Sequence, residues 1–290
     1  MSKAKLALLS WALGFCAIAC GAQTALAQAT PTPTPSPVPA ASPAATHPDA
    51  TLNPVDSSLP NDPAVDEMLG AYSPKVRALE TVIGKLKGDL RKGSVGSGSL
   101  GNFVTDGIRA QASDKLGKPI LLAVTNSGGL RRSTIPEGDL SYRDIFELLP
   151  FENALVAFDM TGDQVMELLR VVVSHRDAQS GMRVKYRING EKQFEAEGVR
   201  FVIDGFEKDI DPAATYTVIS IDYLLNVTGS DYAAVLKKAA NIRPLNLTIR
   251  DAITNYVKAE TAAGRGIKST LDCRFVFDKA ASGTAEEPAP

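Results

Sequence analysis

Pro119-Ile120-Leu121-Leu122-Ala123-Val124-Thr125-Asn126-Ser127-Gly128-Gly129-Leu130-Arg131 is the stretch that decides the fold. Its first half is short and largely apolar, so it predicts a buried strand. Its second half is a polar, glycine-bearing loop that closes on a cation. Upstream, residues 65–90 and 100–112 carry apolar side chains at helical spacing, predicting a helix over each. Downstream, residues 141–149 read as a helix with Ser141 and Asp144 at capping-box spacing and Pro150 as its stop. Residues 153–160 predict a strand, after which Thr161-Gly162-Asp163 caps a helix to about Ser174. Further strands are expected over 182–188, 199–203 and 216–221, helices over 232–240 and 248–262, and a closing strand over 274–278. Several strands follow one another with no helix between them, which argues for an α+β fold over a regular βαβ sheet. No internal repeat of convincing period is present.

The ends of the chain predict its compartment and its limits. Lys3 and Lys5, an apolar run from Leu6 to about Ala19, and the small-x-small site Ala25-Leu26-Ala27 read as a secretory signal over residues 1–27. A competing reading takes Ala17-Ile18-Ala19-Cys20 as a lipobox, with a lipid anchor on Cys20. Either reading predicts export, to the periplasm or the extracellular space. No later stretch approaches the ~20 apolar residues of a transmembrane segment. Residues 28–61 are rich in Pro, Ala, Thr and Ser and predict a disordered linker. The folded domain is expected over residues 62–279, and residues 280–290 as a disordered tail. Cleavage after Ala27 would remove Cys16, Cys20 and Trp11 and leave Cys273 as a single cysteine, so no internal disulfide is expected. With 31 basic and 33 acidic residues, a net charge of −2 argues against a nucleic-acid partner.

Four short motifs stand in order along the folded part. They are Leu100-Gly101-Asn102-Phe103-Val104-Thr105-Asp106, Asn126-Ser127-Gly128-Gly129-Leu130-Arg131, Leu148-Leu149-Pro150-Phe151 and Asp222-Tyr223-Leu224. In order and spacing this set resembles the C-terminal, substrate-specificity domain of the bacterial 5′-nucleotidase and UDP-sugar hydrolase family, over roughly residues 75–278. The resemblance implies a pocket for a nucleotide or nucleoside. Phe151 and Tyr223 would be two rings that sandwich the base, Asn126 and Arg131 the polar partners, and Gly128 and Gly129 the place where backbone approaches ligand. Stacking a base on an aromatic ring is worth about 1–3 kcal/mol, and arginine makes directional contacts to anionic oxygens. Asp231 stands displaced from the position of the family's ribose-binding aspartate. Arg91 and Lys92 stand out of register with a family arginine, and Ser94-Val95-Gly96-Ser97-Gly98-Ser99 reads as a flexible loop.

Each of these residues has a plainer reading. Phe151 fits a core position after a helix-ending proline, Tyr223 an apolar strand, the Asn-Ser-Gly-Gly run a tight turn, and Arg131 with Arg132 a solvated pair. Catalytic and metal-binding residues are not predicted in this chain. It has two histidines, His47 and His175, and neither the Asp-x-His nor the Asn-His-Glu motif of the family's metallophosphoesterase domain. Ser127 lacks a nucleophile elbow, Cys273 reads as packed and inert, and Glu137, Asp139, Asp144 and Glu147 read as caps and solubilising charges. The expected function is therefore nucleotide recognition that contributes to nucleotide hydrolysis. Any divalent metals would reside in a separately encoded metallophosphatase partner, with no cofactor in this chain. The alternative is a non-catalytic nucleoside-binding or interaction module.

Overall fold

The computed structural model describes Asp56, residues 58–203 and residues 205–288. The signal over 1–27, the Cys20 anchor and most of the linker over 28–61 lie outside the described residues. Two short helices open the folded part, α1 (Pro63–Gly70) and α2 (Ser73–Ala78), followed by β1 (Val82–Lys87), β2 (Leu90–Arg91) and the long α3 (Gly98–Leu116). Next come β3 (Leu122–Thr125), β4 (Thr134–Ile135), β5 (Gly138–Ser141), α4 (Tyr142–Leu148), β6 (Ala154–Thr161) and α5 (Gly162–Ser174). Four strands then run in succession, β7 (Ala178–Ser180), β8 (Met182–Ile188), β9 (Phe194–Ile203) and β10 (Phe206–Asp209). The chain continues through β11 (Thr215–Ile221), α6 (Asp222–Asn226), α7 (Asp231–Leu236), β12 (Ala240–Thr248), α8 (Ile249–Ala262), β13 (Ile267–Lys268) and β14 (Phe275–Phe277).

The strands form mixed sheets, and the fold is α+β. The largest sheet has the order β12-β6-β11-β3-β7, with β3 parallel to β11 and every other pair antiparallel. A second sheet has the order β10-β9-β8-β14, a third β13-β1-β5, and β2 pairs with β4. β3 is buried along its whole length. α3 packs against α8 and β7, and α5 against β6 and β9, so Leu100, Val104, Ile108, Leu168, Val172 and Ile253 form one apolar core with Val156 and Phe158. The capping boxes at Ser141 with Asp144 and at Thr161 with Gln164 are both formed.

Where the structure departs from the sequence expectations, local chemistry explains the difference. The helix expected over 65–90 is two helices and two strands. Pro63 and Pro74 each sit in a first helical turn, where proline fits. In β1 a register shift between Val82 and Gly84 puts Ile83, Gly84 and Leu86 inside together, so a bulge breaks the two-residue alternation and imitates helical spacing. Gly84 is required there, because a Cβ would come within 2.6 Å of Val257 and Thr261 on α8. The helix expected over 232–240 stops at Leu236, and β12 begins at Ala240. β12 carries Pro244 and left-handed Asn241 and Asn246, which disguise it as a loop, and its place at the sheet edge tolerates the proline.

Tyr223 lies in helix α6, not in a strand. The Gly/Ser run over 94–99 is not a loose loop: Gly96, Ser97, Gly98 and Ser99 are buried. Gly98 takes φ +58° with Arg91 O only 2.6 Å from where a Cβ would stand. Cys273 is exposed, with φ 55°, just outside β14. In place of a disordered tail, residues 279–284 form a turn in which Ser282 is buried and its hydroxyl accepts from Ile188 N at 3.1 Å.

Candidate functional site

The candidate site grows from the C-terminal ends of β3 and β11. β3 delivers Asn126 into a 3-10 turn, Ser127–Gly129, and Leu130 turns back into the core. Arg131 N donates to Leu148 O at 2.9 Å, which ties this loop to the end of α4. α4 ends before Pro150, and Phe151 follows, 47% exposed. Arg250, from the first turn of α8, holds that corner from behind. Its Nε donates to Leu149 O at 3.0 Å, its Nη2 donates to Pro150 O at 2.7 Å, and its guanidinium lies 4.5 Å from the Phe146 ring centre. On the β11 side, Asp222 accepts from Ala154 N at 3.0 Å, fixing the start of α6 beside the Phe151 segment. Tyr223 is the next residue, and it is 49% exposed.

Between these arms a small cavity is lined by Thr125, Leu130, Leu149, Phe151, Asn153 and Ile221. Arg131 stands at its lip with its guanidinium carbon 5.9 Å from the Phe151 ring centre. Its Nη1 approaches Gly128 O at 3.4 Å, and it makes no salt bridge among the described residues. The neighbouring Arg132 differs, pairing with Asp144 at 2.9 Å and Glu147 at 3.2 Å. The side-chain oxygen of Asn126 is buried with no hydrogen-bond partner among the described residues. A buried acceptor in that condition costs free energy until a donor reaches it. Gly128 and Gly129 lie over the Asn126 side chain, where a Cβ at Gly129 would come within 3.2 Å of Asn126 Oδ1. Neither glycine needs a positive φ.

Asp231 sits at the first turn of α7, and its carboxylate is 3.1 Å from His175 Nε2 at the C-terminus of α5. The structure thus puts Gly129 and Phe151 in the wall of one cavity and Arg131 beside Phe151, with Asn126 and Gly128 in the adjoining loop but outside that wall. It places Tyr223 on the adjoining α6 and gives Asp231 a partner of its own.

Two residues reach the loop from distant segments: Lys92, which sequence spacing put out of register, and Asp177, which it did not mark. Lys92 donates to Ser127 O at 2.7 Å and to Leu130 O at 2.9 Å, across more than thirty residues of chain. Burial lowers its pKa, the Arg131 charge lowers it further, and Asp177 opposes both. Asp177 is buried, accepts from Ser127 N at 2.6 Å and from Tyr232 Oη at 2.8 Å. Burial pushes its carboxyl above the usual range despite those bonds.

Fold and cluster define a class: an α+β domain that presents an aromatic ring, a cation and an unpaired amide oxygen on loops held from behind. Residues 81–238 match the 5′-nucleotidase, C-terminal domain family, more than half of the chain, and the chain belongs to that family. Protein UshA of Yersinia enterocolitica is 30% identical over 176 residues, 59% of this chain and 30% of that protein. Protein UshA of Escherichia coli is 31% identical over 156 residues, 51% of this chain and 25% of that protein. A solved 5′-nucleotidase precursor from Thermus thermophilus superposes with a TM-score of 0.61 at 27% identity, covering 77% of this chain and 44% of that one. The chain therefore spans less than half the length of these relatives.

Proposed function

We propose that this chain recognises nucleotides or nucleosides at the Asn126–Arg131 loop and contributes that recognition to nucleotide hydrolysis. The observation that carries the reading is the exposed Phe151 beside the Arg131 guanidinium, with a buried Asn126 oxygen in the same loop as Arg131 that has no donor among the described residues. An aromatic face takes a base, a guanidinium takes an anionic oxygen, and the amide oxygen takes an exocyclic or ring N–H. Tyr223, exposed on α6, is the second ring of the proposed sandwich, and Asp231 a polar group at its edge. Lys92 adds a second cation at the loop, so an anionic nucleotide is favoured over a neutral nucleoside.

Among the described residues no group of three or more His, Cys, Asp and Glu converges as a metal site. Hydrolysis is assigned to a metallophosphatase domain encoded separately, which would hold the divalent metals; catalytic residues are not assigned to this chain. The N-terminal signal supports export to the periplasm or beyond, with Cys20 as a lipid anchor in the alternative processing. No described helix is long and apolar enough to cross a membrane.

Calorimetric titration of the protein with adenosine, AMP and UDP-glucose, with Mn²⁺ present and released phosphate assayed on the same samples, tests the reading. Binding without phosphate release is expected. Chelator-sensitive release would place metal chemistry in this chain, and heat-silent titrations with all three ligands would reject the recognition site.

A further inference from the structure

A buried carboxylate sits between the two loops of the site, and its position has a use beyond packing. Asp177 follows the C-terminus of α5 and is only 5% exposed. One oxygen accepts from the backbone N–H of Ser127, in the Asn126 loop, at 2.6 Å. The other accepts from the Tyr232 hydroxyl, on α7, at 2.8 Å. Each oxygen therefore serves a different loop. Ser127 is held further through its hydroxyl, which accepts from Ser97 Oγ at 2.6 Å and donates to Arg176 O at 3.0 Å. The Tyr232 ring stacks on His175 at 5.7 Å between centres, and His175 pairs with Asp231. The α6–α7 segment leads from Tyr223 to Asp231, so the chain of contacts runs from the polar loop to the segment that carries the second ring.

A buried carboxylate is costly to keep unless its acceptor sites are filled. Here they are filled by the two donors whose spacing sets the width between the loops. A neutral apolar residue at this position would fill the space and hold neither loop. We infer that Asp177 is a positioning residue of the recognition site, fixing the Asn126 loop and the α6–α7 segment at one separation through Ser127 N–H and Tyr232 Oη. Tyr232 is the second half of this clamp, and neither residue touches the ligand. The inference rests on the proposed nucleotide site for its function, and on the hydrogen bonds alone for the coupling.

The test separates those two parts. Hydrogen exchange is followed in peptides covering residues 126–131 and 229–236 of the full chain, and adenosine affinity is measured by calorimetry. Asp177→Asn keeps the shape but removes the charge and replaces one of the two acceptor oxygens by an NH2, so neither donor keeps a charged acceptor. It is expected to speed exchange in both segments and to weaken adenosine roughly tenfold, the effect of losing one hydrogen bond to a charged group. Tyr232→Phe removes only a hydroxyl, and is expected to speed exchange across the clamp, in residues 126–131. Phe201→Leu, in the second sheet, lowers stability as a control and is expected to leave both peptides and the affinity unchanged.

A folded Asp177→Asn protein with wild-type exchange in residues 126–131 overturns the inference. So does a Tyr232→Phe protein whose change stays within its own segment. A wild-type protein that binds none of adenosine, AMP and UDP-glucose overturns the proposed function, while the exchange measurements still decide the coupling.

Discussion

Arg274 and Arg131 are the same side chain put to opposite uses. Arg274 lies between α3 and the start of β14, with its side chain 8% exposed. Its Nη2 donates to Asp106 at 3.0 Å and to Asp272 at 2.7 Å, its Nε donates to Asp272 at 2.8 Å, and its Nη1 donates to Gln179 O at 3.0 Å. Burial works against its charge, but the bonds and charges of Asp272 and Asp106 outweigh it and raise its pKa further. Burial likewise pushes Asp272 up, and the Arg274 bond and charge more than reverse this. Arg131, at the cavity lip, has one long contact to a carbonyl and the face of Phe151. A guanidinium with every donor filled holds a fold together; one with its donors free has something left to bind.

The contrast breaks first on stability. Arg274→Ala leaves Asp106 and Asp272 facing each other without their cation and strips Gln179 O of a donor, so a loss of about 3 kcal/mol is expected in denaturant unfolding. Arg131→Ala is expected to stay within about 0.5 kcal/mol of wild type. Equal losses would erase the distinction between them.

Binding gives the next largest effect. Phe151→Ala and Tyr223→Ala are each expected to weaken adenosine by about 1–3 kcal/mol in calorimetry while unfolding as wild type does. Collapse of the fold on either change would make that ring a core residue. Arg131→Ala sharpens the contrast further: AMP is expected to lose about 1.5 kcal/mol more than adenosine, and identical losses would reject a phosphate contact.

The smallest effect is a slope. Unfolded aspartate titrates near 3.8, and burial holds Asp177 above that value in the folded state. Between the two pKa values the native state binds more protons than the unfolded state, so this residue makes stability fall as pH rises through that window. Asp177→Asn is expected to flatten that part of the pH–stability curve. An unchanged slope would place the titration elsewhere.

The sequence was readable where local rules and tertiary packing agree. The strand over 122–125, the capped helices α4 and α5 and the long α3 carry their own start and stop signals, and the ring at Phe151 follows directly from the proline that ends α4. It was misleading where tertiary contact overrides the local pattern. The bulge at Gly84 turned a strand into apparent helical spacing, and Pro244 with left-handed Asn241 and Asn246 concealed β12. The Gly/Ser run before α3 has the composition of a flexible linker and is packed tight. At the candidate site, the Asn126–Arg131 turn and the exposed Phe151 were legible because motif and turn chemistry mark them. Asp177 and Arg250 were not, and Lys92 was seen only as a cation out of register, since each reaches the site by a contact between distant segments that no local pattern announces.

β13 and β14 come late in the chain and pair parallel with β1 and β8, which come early or midway. Arg274, just before β14, reaches back to Asp106 on α3. During synthesis the β13-β1-β5 sheet and the β10-β9-β8-β14 sheet are each short of a strand until these residues emerge, and the Asp106 carboxylate waits for its cation. The domain can therefore lock only after nearly all of it has been made. A domain whose cohesion is completed by its last strands stays unlocked, and open to threading or to chaperones, until those strands emerge.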